Sequence, residues 1–317
     1  MTPRHHAEAR HRAYSLLARL FTKGLCAQTR AIVAALPELN DAVGSEDEEE
    51  WAAQHYAAVC HEVFPYESVF VGDGQLGGEV ASAVRAVHER CGLNPTEEPD
   101  HIGAELALLA HLCAAERDAH ADDAADEVAR LQQLQRQFLS QHLLRWLPTL
   151  VVALVRSDDG LYAAAARLTA ELVGDHASEL GATVEAADAE SGLAGVLDNP
   201  KTGIKRLCGV LLNPTATGLF WGQRMLGELA ADAGVPEGFG TRKRKLESIV
   251  FAAVDHDRVV PLMERIVAEV GTWQAHYDEL AVLGLPTQLW RGRLVQGREL
   301  VQGVLLAVDD VEVSSPQ

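Results

Sequence analysis

The chain lacks the short motifs by which many nucleotide-binding proteins and hydrolases are recognised. Its 317 residues contain no GxxxxGK[ST] or GxGxxG phosphate loop and no GxSxG nucleophile elbow. Its five cysteines are irregularly spaced and form no CxxC pair, which predicts free thiols in a reducing compartment. These absences argue against the common enzyme classes and against a disulfide framework.

Long apolar runs are missing as well. The longest run, Leu147 to Val155, is far too short to cross a bilayer and is interrupted by Pro148. The first residues of the chain carry no apolar segment of the kind found in secretory signals. We therefore expect a cytoplasmic protein without a membrane span.

Basic residues are scarce. The chain has 27 Lys and Arg against 46 Asp and Glu, which gives a formal net charge of -19. Arg242 to Lys245 is its only basic cluster. A surface of this sign repels nucleic acid and attracts cationic partners. The acidic blocks at residues 46–50 and 118–127 are predicted to be solvated faces, although a partner rich in Arg or Lys stays open.

Aromatic residues make up only 5% of the chain, whereas Ala and Leu are abundant, and this composition favours helices over sheets. No segment shows sustained alternation of apolar and polar residues, so we predict an all-α fold without a substantial sheet. Helical periodicity is clearest on two faces, which are Tyr14, Leu17, Leu20 and Phe21, and Ile102, Leu106, Leu109 and Cys113.

The chain is predicted to contain three regions. Residues 1–180 form a helical domain, residues 181–200 a linker or mobile loop, and residues 201–317 a further helical region. The weak periodicity of residues 174–202 motivates the linker. Within the first region we expect an irregular stretch from Tyr66, a helix over 126–147 that stops near Pro148, and a helix over 161–173.

Glu98-Pro99-Asp100-His101 is the most suggestive local motif. Proline favours the first helical position and acidic residues favour the first turn, so the motif predicts a helix start. The alternative is that Asp100 and His101 face a groove, where a carboxylate binds a guanidinium group strongly. Residue chemistry alone leaves both interpretations open.

Two further motifs combine aromatic residues with helical spacing. Tyr66, Val69 and Phe70 follow Pro65, in a pattern that suits either core packing or a groove for an apolar peptide. Phe138, His142 and Trp146 step by four, which favours a packed aromatic ridge.

Metal binding is a weaker hypothesis. His55, Cys60 and His61 lie close in sequence but form no His pair with a carboxylate partner. A metal-dependent helical enzyme that uses His55, His61 and His101 is the corresponding alternative.

The order and spacing of these motifs resemble the TorD/DmsD family of molybdoenzyme maturation chaperones, to which NarJ-type chaperones are related. Four segments carry the resemblance. The first two are the early helix through Tyr14 and Phe21, and Tyr66-x-x-Val69-Phe70, which has Val in place of the family's Leu. The other two are the motif that ends in Asp100-His101, and the later residues Phe138, His142 and Trp146. The resemblance covers about residues 8–175.

The resemblance implies an all-helical chaperone that is not an enzyme. It would bind the twin-arginine signal peptide of a molybdopterin oxidoreductase catalytic subunit and hold the apoprotein for cofactor insertion before export. The peptide-binding residues carried over are Tyr66, Val69, Phe70, Asp100 and His101. Glu98 belongs to the same motif, and Phe138, His142 and Trp146 would support the site.

The resemblance implies no tightly bound cofactor and leaves guanine-nucleotide binding open, although no motif supports it. Family members are typically near two hundred residues, so the role of residues 201–317 is not implied. A docking or scaffold subunit of a redox complex stays the alternative function. A homodimer formed by exchange across the predicted linker is also compatible with the sequence.

Overall fold

The computed structural model describes residues 2–44, 47–72, 75–94, 98–158, 160–184, 193, 196 and 203–314. The chain divides into two compact units. The N-terminal unit comprises Met1–Glu185 and Leu280–Pro286, and the C-terminal unit comprises Ala186–Glu279 and Thr287–Gln317. Most of the predicted linker, at residues 185–192, 194–195 and 197–200, lies outside the described residues.

Among the described residues the structure contains helices and no strand, which confirms the predicted all-α fold. The helices of the N-terminal unit are α1 (Pro3–Lys23), α2 (Ala27–Val33), α3 (Pro37–Asn40), α4 (Glu48–His55), α5 (Glu67–Val71), α6 (Gly78–Arg90), α7 (Ile102–Ala121), α8 (Ala125–Phe138), α9 (Leu144–Ser157) and α10 (Leu161–Leu180). Two π-helical turns continue α4 and α8, at Tyr56–Glu62 and Leu139–Leu143.

Helices α1 and α7 pack along each other and form the centre of this unit. Helix α1 begins where the Thr2 side chain accepts a hydrogen bond from the His5 amide, with Pro3 in the first turn. All eight residues of the two predicted apolar faces are at most 1% exposed. The helical periodicity therefore identified the core correctly.

Three predicted boundaries in this unit are wrong. Helix α9 continues through Pro148. The proline removes one backbone hydrogen bond, but the burial of most of the α9 side chains stabilises the helix by more than this loss. Helix α10 extends to Leu180, so the first residues of the presumed weakly periodic segment are helical. The segment after Tyr66 is not irregular but forms the short helix α5.

The C-terminal unit is also helical in its described part. Its helices are α11 (Ile204–Leu211), α12 (Pro214–Thr217), α13 (Gln223–Ala233), α14 (Arg242–Asp255), α15 (Val259–Val282) and α16 (Gln288–Ser314). The last residues of α15, from Leu280, are grouped with the N-terminal unit. Phe220, Trp273, Tyr277 and Trp290 are at most 1% exposed and form the aromatic part of this unit's core.

The segment Ala125–Ser157 is long and apolar enough to span a membrane by length and composition. However, 78% of its most apolar window is buried inside the protein. The core helix of a folded domain meets the same criterion, so its apolar residues are explained by packing.

Gly103 allows α7 to lie close to α1. A Cβ atom at this position would meet the Thr22 hydroxyl and would lie 2.9 Å from the Ala18 carbonyl oxygen. We expect Gly103→Ala to lower the free energy of unfolding by about 1–3 kcal/mol, as overpacking does. Urea denaturation checks this. Gly44→Ala is the control, because the nearest atom would lie 3.9 Å from a Cβ atom at this position. Equal stability of both variants would contradict the prediction.

Candidate functional site

Two of the three motifs lie side by side. Tyr66 and His101 form an isolated antiparallel β-bridge. On either side of it, the Glu67 amide donates to the Asp100 carbonyl and the Ile102 amide donates to the Pro65 carbonyl, each at 2.9 Å. The backbone thus joins the start of α5 to the start of α7, across more than thirty residues of sequence.

Asp100 is buried and caps a helix. It is 2% exposed, and its carboxylate accepts a hydrogen bond from the Ser68 amide in the first turn of α5 at 3.1 Å. The predicted helix start at Pro99 is wrong, since α7 begins at Ile102. Asp100 stabilises α5 instead, because a carboxylate at a helix N-terminus satisfies a free amide and complements the dipole. Its predicted contact with a guanidinium group stays a prediction.

His101 is the N-cap of α7. Its Nδ1 accepts a hydrogen bond from the Gly103 amide at 3.1 Å, so this nitrogen is unprotonated. Burial lowers the pKa of His101 to about 4, against the opposing effect of Glu98. The imidazole is therefore neutral at physiological pH, and its ring packs edge-on against Tyr66 with the ring centres 5.0 Å apart.

A groove of about 400 Å³ opens beside this bridge. Its walls come from the end of α1, the π-helical turn after α4, and the first turns of α7. Apolar atoms dominate the walls, and Phe64 is 39% exposed there. The lining residues are Phe21, Thr22, His55, Val59, Cys60, Phe64, Tyr66, Glu98, His101, Gly103, Ala104 and Ala107.

Glu98 supplies the carboxylate of the groove. The Tyr66 hydroxyl donates to it at 2.8 Å, and Glu98 forms no ion pair with any residue that the structure describes. Burial, and then Glu98 itself, raise the pKa of Tyr66, so the phenol remains a hydrogen-bond donor. An exposed carboxylate that lines an apolar groove can bind a cation while the apolar neighbours contact the rest of a ligand.

Val69 and Phe70 do not line the groove. They are 5% and 0% exposed and lie on the inner face of α5. Phe70 packs against Trp146, with ring centres 5.5 Å apart. Of the six predicted contact residues, the structure places Tyr66, Glu98 and His101 at the groove and Val69, Phe70 and Asp100 behind it.

The third motif forms a buried polar network behind α5. His142 Nδ1 lies 3.0 Å from the Glu67 carboxylate, and Arg145 lies 3.9 Å from the other oxygen of that group. The Trp146 indole donates to Glu105 at 3.3 Å. Phe138 stacks on His142 with ring centres 5.3 Å apart. The motif therefore supports the bridge from inside the core.

Glu105 is the most deeply buried acid of this network, at 0% exposed. Burial raises its pKa well above the ordinary value, and the nearby Glu67 carboxylate raises it further. A protonated Glu105 avoids a second buried negative charge beside Glu67. Sequence patterns did not reveal either residue, because a carboxylate on an apolar helix face gives no sign of its burial.

The histidines considered for a metal site have other contacts. His55 lies 3.1 Å from the Phe21 carbonyl oxygen through its Nε2, and His61 stacks on Tyr56. Among the described residues, no group of three or more His, Cys, Asp and Glu side chains is placed to hold a metal ion.

Comparison with known proteins supports the resemblance. A family model described as the nitrate reductase delta subunit matches residues 22–152. A chaperone protein TorD of Vibrio cholerae serotype O1 is 31% identical over 171 residues, which is 50% of this chain and 76% of the relative. The chain belongs to the TorD family. The family match includes all three motifs, at residues 65–70, 98–101 and 138–146.

A second relative is the selenate reductase assembly chaperone protein of Thauera selenatis. It is 40% identical over 85 residues, which is 27% of this chain and 42% of the relative. These TorD-family relatives are named as chaperones, and the chain is accordingly a chaperone and not an enzyme. No solved structure matches the chain significantly.

Proposed function

We propose that this TorD-family chaperone serves the maturation of a molybdoenzyme and binds the twin-arginine signal peptide of its catalytic subunit in the groove beside Tyr66 and His101. The observation that best supports this proposal is that one groove combines the exposed Glu98 carboxylate with apolar walls. A twin-arginine peptide offers both matching elements, two guanidinium groups and an apolar segment. The location would be the cytoplasm, where the apoprotein waits for its molybdopterin cofactor.

Each part of the groove has a role in this proposal. Glu98 accepts hydrogen bonds from one guanidinium group, because carboxylate and guanidinium form strong paired bonds. Phe64, which is 39% exposed, contacts the apolar part of the peptide, and the nearly buried Phe21 and Val59 form the apolar wall behind it. Asp100 acts from inside by capping α5, which holds Tyr66 at the groove. The net charge of -19 speeds the encounter with a cationic peptide.

The proposal predicts a specific loss of affinity in Glu98→Gln. We expect a peptide with an Arg-Arg core and an apolar segment to bind about tenfold more weakly to this variant, since a hydrogen bond between charged groups contributes about 1.5–3 kcal/mol and exposure reduces this value. Isothermal titration calorimetry measures the change. The expected loss shrinks when the peptide carries Gln-Gln instead of Arg-Arg.

Glu89→Gln is the matched control. Glu89 is an exposed carboxylate on α6 that does not line the groove, so its replacement changes the net charge equally. Equal affinities of the two variants would show that only the overall charge matters. Failure of the unaltered protein to bind any Arg-Arg peptide would overturn the proposed function.

A further inference from the structure

The C-terminal unit contains a second concave site, which lies outside the family match at residues 22–152. It has a volume of about 480 Å³ and is lined by the cations Lys205, Arg206 and Lys243. Among the residues that the structure describes, no acidic side chain lines it. Three converging cations are notable in a chain with 19 more acidic than basic residues. We call this site the α11–α14 cavity.

Helix geometry adds to the positive potential of the cavity. Lys205 and Arg206 lie in the first turn of α11, and Lys243 lies in the first turn of α14. The two helices pack against each other. The partial positive charge of a helix N-terminus favours a nearby anion, so both helix starts add to the charge of the three side chains.

The other cations of the basic cluster have structural contacts. The Arg242 guanidinium lies 4.4 Å from the centre of the Phe220 ring and donates to the Trp221 carbonyl. Lys245 pairs with Glu237 at 3.0 Å. By contrast, the three cations of the cavity form no ion pair with the residues that the structure describes. Within the basic cluster at residues 242–245, Arg242 and Lys245 therefore have structural contacts, whereas Lys243 lines the cavity.

The size and charge of the cavity define the class of ligand. Three positive charges are more than are needed to neutralise a single carboxylate. They suit a phosphate group, which carries up to two negative charges. The volume is larger than a phosphate needs and lies within the range of small-molecule sites. A Cβ atom at Gly209 would meet nothing within 4 Å, so the wall beside the cations is open.

We propose that the α11–α14 cavity binds the phosphate group of a small phosphorylated ligand. Lys205, Arg206 and Lys243 hold the phosphate oxygens. The remaining space accepts the organic part of the ligand. This inference is independent of the peptide groove, because every residue it uses lies in the C-terminal unit.

Calorimetric titration of the full chain with inorganic pyrophosphate and with glycerol phosphate tests the proposal. We expect saturable binding with one site per chain, which weakens as salt is added. Lys243→Gln should reduce the affinity at least tenfold, as the loss of a hydrogen bond between charged groups does. Binding of both compounds would support the proposal, whereas binding of pyrophosphate alone would overturn it, because the site would then exclude the organic part of the ligand.

Arg244→Gln separates a built site from a general basic patch. Arg244 is exposed and next in sequence to Lys243, but it does not line the cavity. The proposal predicts unchanged affinity in this variant, with the same circular dichroism spectrum as Lys243→Gln. Equal losses in both variants, absence of saturable binding, or binding of an acidic peptide in place of both phosphate compounds would overturn the proposal.

Discussion

Glu67→Ala is expected to lower the free energy of unfolding of the N-terminal unit by about 1–3 kcal/mol, as leaving a buried polar group without its hydrogen-bond partner does. Glu67 is 1% exposed, and its carboxylate contacts both His142 and Arg145. Its removal leaves the buried His142 ring without its acceptor, whereas the Arg145 side chain is 39% exposed and also donates to the Gln141 carbonyl. Urea denaturation followed by circular dichroism measures the change.

Two comparisons make this prediction specific. Glu67→Gln keeps an oxygen that can accept from His142 and should therefore cost less than Glu67→Ala. The double variant Glu67→Ala/His142→Ala should be less destabilised than the sum of the single variants, because both single changes break the same contact. Strict additivity, or a loss no larger than that of the exposed Glu89→Ala, would contradict the role of this network.

The same network explains which parts of the fold could be predicted. Local periodicity predicted both α1 and α7, but only α1 buries a single apolar face, whereas α7 is buried around most of its circumference and includes the buried acids Glu105 and Glu116. Helix α5 has only five residues, and it is stabilised by Asp100, which lies about thirty residues further along the chain. A pattern read within a short window carries no information about such a partner.

The candidate site shows the same division. The sequence motifs singled out Tyr66, Glu98 and His101, which do line the groove. The same motifs also include Val69, Phe70 and Asp100, which are buried. A motif specifies the residue type at each position but not whether the side chain is exposed. The distinction between contact residues and supporting residues depends on the β-bridge, which turns one face of α5 inward.

The groove walls could not have been recognised from the sequence. Phe21 was correctly predicted to belong to an apolar helix face, but its contact with the groove depends on where α1 ends, at Gly24 with a φ of 74°. Val59 and Cys60 lie in a π-helical turn, which no sequence motif marks. Such turns shift the direction of side chains and are common at functional sites.

Acidification is expected to destabilise the N-terminal unit. Burial lowers the pKa of His88 and of His101 to about 4, and that of His176 to about 3. All three accept protons more readily when unfolded, where the pKa of histidine is about 6.5. Stability is therefore fully present above pH 6.5 and is lost as the pH falls towards the folded values. Between pH 7.5 and pH 5 we expect a loss of roughly 1–2 kcal/mol for each histidine.

Glu105 acts in the opposite direction and limits stability at higher pH. The pKa of Glu105 is raised in the folded state. Above pH 4.5 this carboxyl group therefore holds its proton more strongly in the folded chain than in the unfolded chain. Its contribution is present at low pH and is lost as the pH rises through the folded value. Because three histidines oppose one carboxyl group below pH 6.5, the stability should be greatest near neutral pH.

Urea denaturation between pH 5 and pH 9 tests these opposite slopes. His88→Leu should remove about a third of the loss on acidification, because it deletes one of three buried imidazoles and fills its place with an apolar side chain. His111→Leu is the matched control, since His111 is exposed on α7. Glu105→Gln should remove the loss of stability that this carboxyl group causes as the pH rises above about 4.5, because the glutamine side chain does not ionise. If His88→Leu and His111→Leu showed the same pH dependence, the burial of neutral histidines would not be the cause of acid sensitivity.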